Sequence, residues 1–293
     1  MEVHIRKVRD LEEDLEALLE AVAWRDVIGK GDRVLIKPNF CTLPFVPGVT
    51  TDPALLRCLV GILGERGEVC VGETNTEGRK AWRLDADLGC ELIDLSEAEG
   101  VEIKVGGTAF HIPRLALDCR VVNVPVLKTH SFTTFTLGIK NLFGLVQERE
   151  KSSYHYAIDD VLLAILGEVR PALNILDAIH AMDGIGPITG RVRRTDLLMA
   201  SRDVVALDMA VCSLAGLDYR RVEHIRRAAE IYHTVPEILG QGARLDLEVP
   251  RPSRVELLGA YLQRNDLTRR VLMSPGVYSV ARRTKVLLRH FVG

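Results

Sequence analysis

Apolar residues along this chain recur at two spacings, and their alternation predicts helices interleaved with strands. In residues 10–28, Leu11, Leu15, Leu18, Leu19 and Val22 return at helical intervals, with acids gathered at the N-terminal end. Gly29 and Gly31 stop that helix. RVLIKP, residues 33–38, is a short apolar strand running into Lys37, Pro38 and Asn39. Thr51 or Asp52 can cap a helix that starts at Pro53 and is apolar nearly all round. EVCVG at 68–72 reads as the next strand, and GETNTEGR leads out of it. A helix-like piece around Trp82–Leu88 follows, then short strands near 91–95, 101–105 and 108–112. Val121, Val122, Val124 and Val126 make a buried strand that should end before Lys128, although Pro125 removes one ladder donor.

Beyond this strand, residues 157–169 are predicted as a helix, Leu173–Leu176 as a strand and Leu197–Ala200 as another. SRDVVALDMAVCSLAGL carries its own cap and predicts a helix, as do residues 220–232; 233–258 is irregular and ends in a strand-like VELLG. Strand–helix alternation of this kind predicts an α/β fold, a mostly parallel sheet with flanking helices. We expect two lobes around a cleft, an N-terminal lobe over 1–125 and a second over 126–258 that carries the site loop, or else one sheet with a large insertion. A basic helical tail would follow over 259–293.

Charge and composition narrow the function classes. The formal net charge is −2, so nothing global points to nucleic acid. No apolar run is long enough for a membrane span, and MEVHIRKVRD lacks an apolar signal core, so a cytoplasmic protein is expected. Six cysteines stand far apart and none forms a CxxC pair, so no iron–sulfur cluster is expected in this chain. The tail sets seven basic residues, from Arg264 to Arg289, against Asp266. It could lie on an anionic membrane or pack on the body as a solvated helix, and we favour packing.

The chemistry concentrates in VVNVPVLKTHSFTTFTLGIKNLFG, residues 121–144. Lys128, Thr129 and His130 directly follow the apolar run, and hydroxyls, Gly138, Lys140 and Asn141 come next. Apolar neighbours would bury much of this stretch, and a buried ammonium needs an anion or a hydrogen-bonded partner. The segment therefore reads as a site for a small anionic ligand. The rival reading is an amphipathic connector whose lysines reach out to water. Lys37 and Asn39 repeat the pattern of apolar strand then lysine, which strengthens the case for both lysines. Glu73 and Asn75 sit just past a strand end, where ligands collect in open α/β sheets, whereas Glu77 and Arg79 read as a solvated turn. AMDGIGPITG, with Asp183 and Gly184, is either a ligand loop or a wide turn. QEREKSSYH reads as a mobile loop ending at His155.

The roles follow from the residue types. Lys37, Lys128 and Lys140 would bind charge, each with three donors, and His130 would be the general acid/base. His130, Lys140 and Lys128 are the catalytic candidates. Thr51, Asp52, Thr129, Asn141 and His155 join the ligand- or cofactor-binding set. Glu73, Asp183 and Asp208 could hold a divalent metal, a nucleotide-derived cofactor being the other candidate.

The order IKPN, GVTTDP, GET, VPVLKTHSFTTFTLGIKNLFG, DAIHAMDGIGP and SRDVVALD resembles the uncharacterised family called domain of unknown function 362, from about residue 30 to about residue 230. Many members of that family also carry a ferredoxin-like segment with cysteine-ligated clusters, a pattern from which this chain departs. GVTTDP followed by a helix, a strand and a Gly-rich turn is also similar to the first half of the lactate racemase family. There a Lys and a later His hold a nickel–pincer nucleotide while an earlier His works as acid/base. His130, Lys140 and His155 stand at the matching separations, with LGIK in place of that family's GGxK. The first resemblance gives no reaction by itself; the lysines and His130 lead us to expect an enzyme acting on a small carboxylate or phosphate, redox-linked or racemase-like, and so an oxidoreductase or an isomerase. The alternatives are a non-catalytic metabolite- or nucleotide-binding protein, or an electron-transfer accessory to a separate ferredoxin-like protein.

Overall fold

The structure is a computed structural model, and it describes residues 1–41, 45–75, 87–130, 133–184, 186–188, 190–240 and 244–249. Glu77, Arg79, Ser131, most of the Trp82–Leu88 piece, VELLG and the basic tail lie outside the described residues. In chain order the elements are β1 (Glu2–Lys7), α1 (Leu11–Ala21), β2 (Arg33–Lys37), α2 (Pro53–Gly64), β3 (Glu68–Glu73), β4 (Glu91–Asp94), β5 (Gly100–Val105) and β6 (Thr108–Pro113). They continue with α3 (Leu115–Asp118), β7 (Arg120–Asn123), β8 (Val126–His130), β9 (Thr134–Thr136), α4 (Gly138–Asn141), α5 (Ile158–Glu168), β10 (Leu173–Asp183), β11 (Arg191–Ser201), α6 (Val204–Leu214), α7 (Glu223–Tyr232) and β12 (Glu237–Gly240).

The fold is α/β, and its main sheet is mixed but mostly parallel, in the order β12-β1-β11-β10-β7-β2-β3-β4. β8 branches from this path, pairing with β10 on one side and β9 on the other. Strands from both sides of residue 125 share this sheet, so the two expected lobes are not separate sheets. β1, missing from the sequence expectation, lies inside the sheet next to its β12 edge: its alternating Val3 and Ile5 are buried, and it pairs antiparallel with β11 and parallel with β12. Leucines of α1 and α2 (Leu15, Leu18, Leu19, Leu55, Leu59 and Leu63) pack with Val34, Ile36, Val71, Val122 and Ile175 of the strands into one apolar core. Burying each such side chain contributes about 1.5–3 kcal/mol. Helices α1, α2 and α6 begin where aspartates cap them: Asp10, Asp52 and Asp203 accept from Glu13, Ala54 and Ala206 backbone N–H groups. No helix among the described residues is long and apolar enough to cross a membrane.

Pro125 does more than remove a donor. It divides the expected single strand into β7 and β8, with the Val124 N–H donating to Lys37 O and the Asp177 N–H to Pro125 O. β8 then runs on through Lys128 to His130, because the chain turns and returns as β9, pairing Lys128 with Thr136 and His130 with Thr134. Lys128 and His130 thus lie within a strand rather than past its end.

The chain divides into two compact units, one comprising Met1–Lys151 and Asp159–Pro250, the other Ser152–Ile158 with residues 251–293. His155 falls in the second unit, within a 3-10 turn over Lys151–Ala157.

Candidate functional site

The parallel pairing of β2 with β3 brings Lys37 and Glu73 to the same sheet end. The Lys37 ammonium is fully buried and donates to Glu73 Oε2 at 2.7 Å and to Pro38 O at 2.6 Å. Glu73 also accepts from the backbone N–H of Thr74 at 2.9 Å. The charge of Lys37 is thus answered inside the protein, as burial requires. Gly144 is packed against this pair: a Cβ there would lie 2.5 Å from Lys37 Nζ. Lys151 is buried too, donating to Thr74 Oγ1 and to Gly144 O. Gln147 donates to Leu95 O and Ala98 O, so the stretch expected to be mobile is tied down at its start.

Lys128 is fully buried and heads a directed chain of amides. Its Nζ donates to Asn39 Oδ1 at 2.8 Å and to Val49 O at 2.6 Å. Asn39 Nδ2 donates to Asn141 Oδ1 at 2.8 Å, and Asn141 Nδ2 donates to Asn123 Oδ1 at 2.8 Å. Asn123 Nδ2 then donates to Gly138 O and Asn174 Oδ1. Because an ammonium only donates, Lys128 fixes which way each amide faces. Thr51 braces the start of the chain, accepting from Asn39 N–H at 2.8 Å and donating to Val124 O at 3.0 Å. The Asp52 N–H donates to Asp177 Oδ2 at 2.9 Å. Asn39, Thr51, Asp52 and Asn141 are therefore gathered with Lys128. Asn123, Asn174 and Asp177 complete the set, and sequence reasoning missed them. Their signal was a polar residue within an apolar strand, in VVNV and LNILDAI.

Lys140 is different. It sits in α4, a single turn whose first amides, Gly138 N–H and Ile139 N–H, both donate to Asp208. Gly138 has no room for a side chain there, since a Cβ would overlap Val204 and stand 3.0 Å from Asp208 Oδ1. The Lys140 side chain is 9% exposed and its ammonium stands 4.3 Å above the Phe143 ring. It makes no hydrogen bond or ion pair with the described residues. Burial pulls its pKa down to about 8; Lys128 and Lys37 push the same way, while Cys41 and Asp159 oppose them. Thr136, paired with Lys128 across the β8–β9 hairpin, has a buried hydroxyl with no hydrogen-bond partner among the described residues. Burial raises Asp177 and Asp208 to about 7, against the backbone amides that pull both down.

His130 ends β8 and is 8% exposed; its Nδ1 accepts from Thr133 N–H at 3.4 Å. Thr129 Oγ1 donates to Gly184 O at 2.8 Å. The Gly-rich turn after β10 lies directly on this strand, for a Cβ at Gly186 would overlap Thr129 O. Gly184, at φ +80°, takes a conformation that suits glycine. The close backbone approach that the glycines allow is thus to β8. Asp183 belongs to the β10–β11 hairpin and pairs with Arg191 at 3.0 Å and Arg193 at 2.8 Å. Asn75 is turned to Asp94 and Ser96. The three metal candidates have separate occupations: Glu73 with Lys37, Asp183 with the arginines, Asp208 with the α4 amides. Among the described residues no three His, Cys, Asp or Glu side chains gather as a metal site.

A thylakoid-associated protein of Synechocystis sp. is 31% identical over 224 residues, which span 70% of this chain and 70% of that protein. A crystal structure of a Thermotoga maritima protein aligns with a TM-score of 0.38 at 14% identity, covering 63% of this chain and 54% of the other, and at that level carries no argument. The family described as Domain of unknown function (DUF362) matches residues 34–213, more than half the sequence and all of the Lys37, Lys128 and Lys140 cluster, and the chain belongs to that family.

Proposed function

We propose that the protein is an enzyme for a small anionic metabolite, a carboxylate or a phosphate, with Lys140 and His130 moving a proton. The observation that carries this reading is Lys140 itself: a buried amine with no hydrogen bond or ion pair among the described residues, in the field of two further buried lysines. Glu73 answers the charge of Lys37, and the field of Lys37 and Lys128 at Lys140 would favour an anion bound beside it. The orphan hydroxyl of Thr136 supplies a donor on the same hairpin face as Lys128. Proton transfer at a carbon beside the anionic group makes isomerisation the simplest reaction class, since it needs no co-substrate. His130, on the same hairpin, is the second acid/base.

The test uses a panel of small 2-hydroxy, 2-amino and 2-oxo carboxylates and phosphate esters in deuterium oxide, followed by NMR. Wild-type protein is expected to exchange the proton next to the acid group of one panel member. Lys140→Met and His130→Gln should each slow that exchange by roughly two to four orders of magnitude. Equal exchange in wild type and both variants refutes the assignment. A ligand that raises the melting temperature but exchanges no proton favours the rival reading, a metabolite-binding protein.

For location we propose the cytoplasm. The thylakoid association of the Synechocystis relative supports a rival, the surface of an internal membrane. Fractionation of cells into soluble and membrane pools decides between them.

A further inference from the structure

We infer that Lys140 is a nucleophile that captures the carbonyl carbon of a small anionic ketone or aldehyde, a 2-oxo acid being the simplest, as a Schiff base. The inference rests on the reading of this cluster as an anion site and goes beyond it in naming the substrate's reacting group.

Three buried lysines meet here, and they meet burial in two ways. Lys37 has Glu73 and Pro38 O; Lys128 has Asn39 and Val49 O. Lys140 has only the face of Phe143, at 4.3 Å, among the described residues. A ring face stabilises an ammonium less than an ion pair does when both are desolvated. Its neighbours Ile139, Leu142 and Phe143 are all buried. Desolvation beside other cations is the arrangement that keeps a lysine amine neutral, and a neutral amine is the reactive form. The titratable and charged groups that bear on it are Lys128, Lys37, Cys41 and Asp159, and burial outweighs them all.

The step balances without a further reagent. The Lys140 lone pair forms a bond to the carbonyl carbon, and the C=O π electrons move to oxygen, which takes a proton. Loss of that oxygen as water leaves the iminium, so one amine, one carbonyl and one proton give one iminium and one water. The protonated iminium carries a positive charge in the field of Lys128 and Lys37, and the substrate's own carboxylate or phosphate offsets it. The iminium also withdraws electrons from the neighbouring carbon, so its proton becomes one that His130 can remove.

The test traps the adduct on the full chain. Pyruvate, glyoxylate and dihydroxyacetone phosphate are each incubated with wild-type protein and sodium cyanoborohydride, and the products are mapped by mass spectrometry. One probe is expected to add its own mass less one oxygen atom at Lys140. At pH 8 about half of Lys140 is neutral against less than about 1% of an ordinary lysine, so labelling should exceed that of an unstructured lysine peptide by roughly fiftyfold or more, with exposed Lys7 and Lys104 as references on the same chain. The rate should rise with pH up to about 8 and then level. Lys140→Met should abolish the adduct. Absence of a Lys140 adduct with all three probes, or labelling no faster than at Lys7 and Lys104, overturns the inference; neither result needs the variant to fold. Proton exchange that still depends on Lys140 without any trapped adduct would remove the capture step alone and leave the proton-transfer reading standing.

Discussion

Asp208 accepts the backbone N–H of Gly138 at 2.8 Å, and with its other oxygen takes that of Ile139 at 2.9 Å. One carboxylate from α6 thus satisfies both leading amides of the turn that carries Lys140. Asp208→Ala would leave two buried donors without a partner, at about 1–3 kcal/mol each. Chemical denaturation should show a loss of roughly 2 kcal/mol or more, and any Lys140-dependent activity should fall with it. Gly138→Ala forces a methyl into Val204 and should cost about 1–3 kcal/mol. Adding Val204→Ala should recover part of that loss. A Gly138→Ala protein as stable as wild type would show that α4 is not seated as described.

Gly144 bears the same relation to Lys37. A Cβ there lies 2.5 Å from the ammonium and 2.9 Å from Glu73 Oε1, so Gly144→Ala must displace a buried ion pair. Removing one partner of such a pair costs about 3–5 kcal/mol, because one charge is left without its partner, and Gly144→Ala, which keeps both charges and shifts their side-chain ends, should cost less. Lys37→Met should carry that full cost by stranding Glu73. The double variant Lys37→Met with Glu73→Leu should be far milder than the sum, and a denaturant-based double-mutant cycle measures the difference.

The lowered pKa of Lys140 fixes the sign of a pH effect. Its folded value of about 8 lies below the ordinary 10.5, so folding disfavours the charged form. As pH falls from 10.5 to 8, the unfolded chain takes up the proton first, and stability drops; below 8 the deficit is constant. The groups that bear on Lys140 are Lys37, Lys128, Cys41 and Asp159. At pH 7 the deficit amounts to about 3 kcal/mol. Lys140→Met should therefore stabilise the protein at about pH 7 and lose that advantage by about pH 11. Urea titrations at the two pH values check this, and a destabilised Lys140→Met at neutral pH would mean that the ammonium is paired after all.

How far these features were legible depends on whether their cause is local. Strand β2, the Asp52 cap with Pro53 and the strands of residues 91–113 follow from short-range pattern, and all were readable. So was the concentration of buried polar side chains at 128–141. The end of β8 was not, because it continues as the partner of β9 and, at Lys128, of Met182 in β10, and Thr134 makes the return with φ 67°. β10 hides for another reason: it is buried along nearly its whole length, so DAIHAMD shows no alternation. The occupations of the charges are non-local. Glu73 lies 36 residues from Lys37, and Asp208 lies 70 residues from Gly138; no spacing rule connects either pair. Two glycines of AMDGIGPITG carried a true signal of close approach, but Gly186 meets Thr129 and Gly190 meets Asp183 and Met182.

The amide chain headed by Lys128 yields a prediction that depends on its direction. Asn141 Nδ2 faces three acceptors: Asn123 Oδ1 at 2.8 Å, with Lys37 O and Pro38 O at 3.3 Å. Asn141→Asp replaces that donor by a charged oxygen among oxygens, in a residue only 3% exposed. The buried charge would gain no new donor and leave three acceptors facing it, so the loss should reach about 3 kcal/mol or more at neutral pH. Asn39→Asp makes the same exchange of amide for carboxylate at the head of the chain. There the oxygen opposing Asn141 Oδ1 loses a bond, but the other gains the charge of Lys128 at 2.8 Å. The two effects offset, and Asn39→Asp should cost about 1 kcal/mol or less. The variants should also part company with pH. The carboxyl introduced at position 141 would hold its proton well above the ordinary carboxylate range in the folded protein, so Asn141→Asp gains stability as pH falls from about 7 toward about 5. The carboxylate introduced at position 39 is held ionised by Lys128, so Asn39→Asp would instead lose stability over the acid range below the unfolded pKa of that group. Denaturant midpoints of both variants between about pH 4 and 8 test this, and equal losses with parallel pH profiles would show that the chain has no fixed direction.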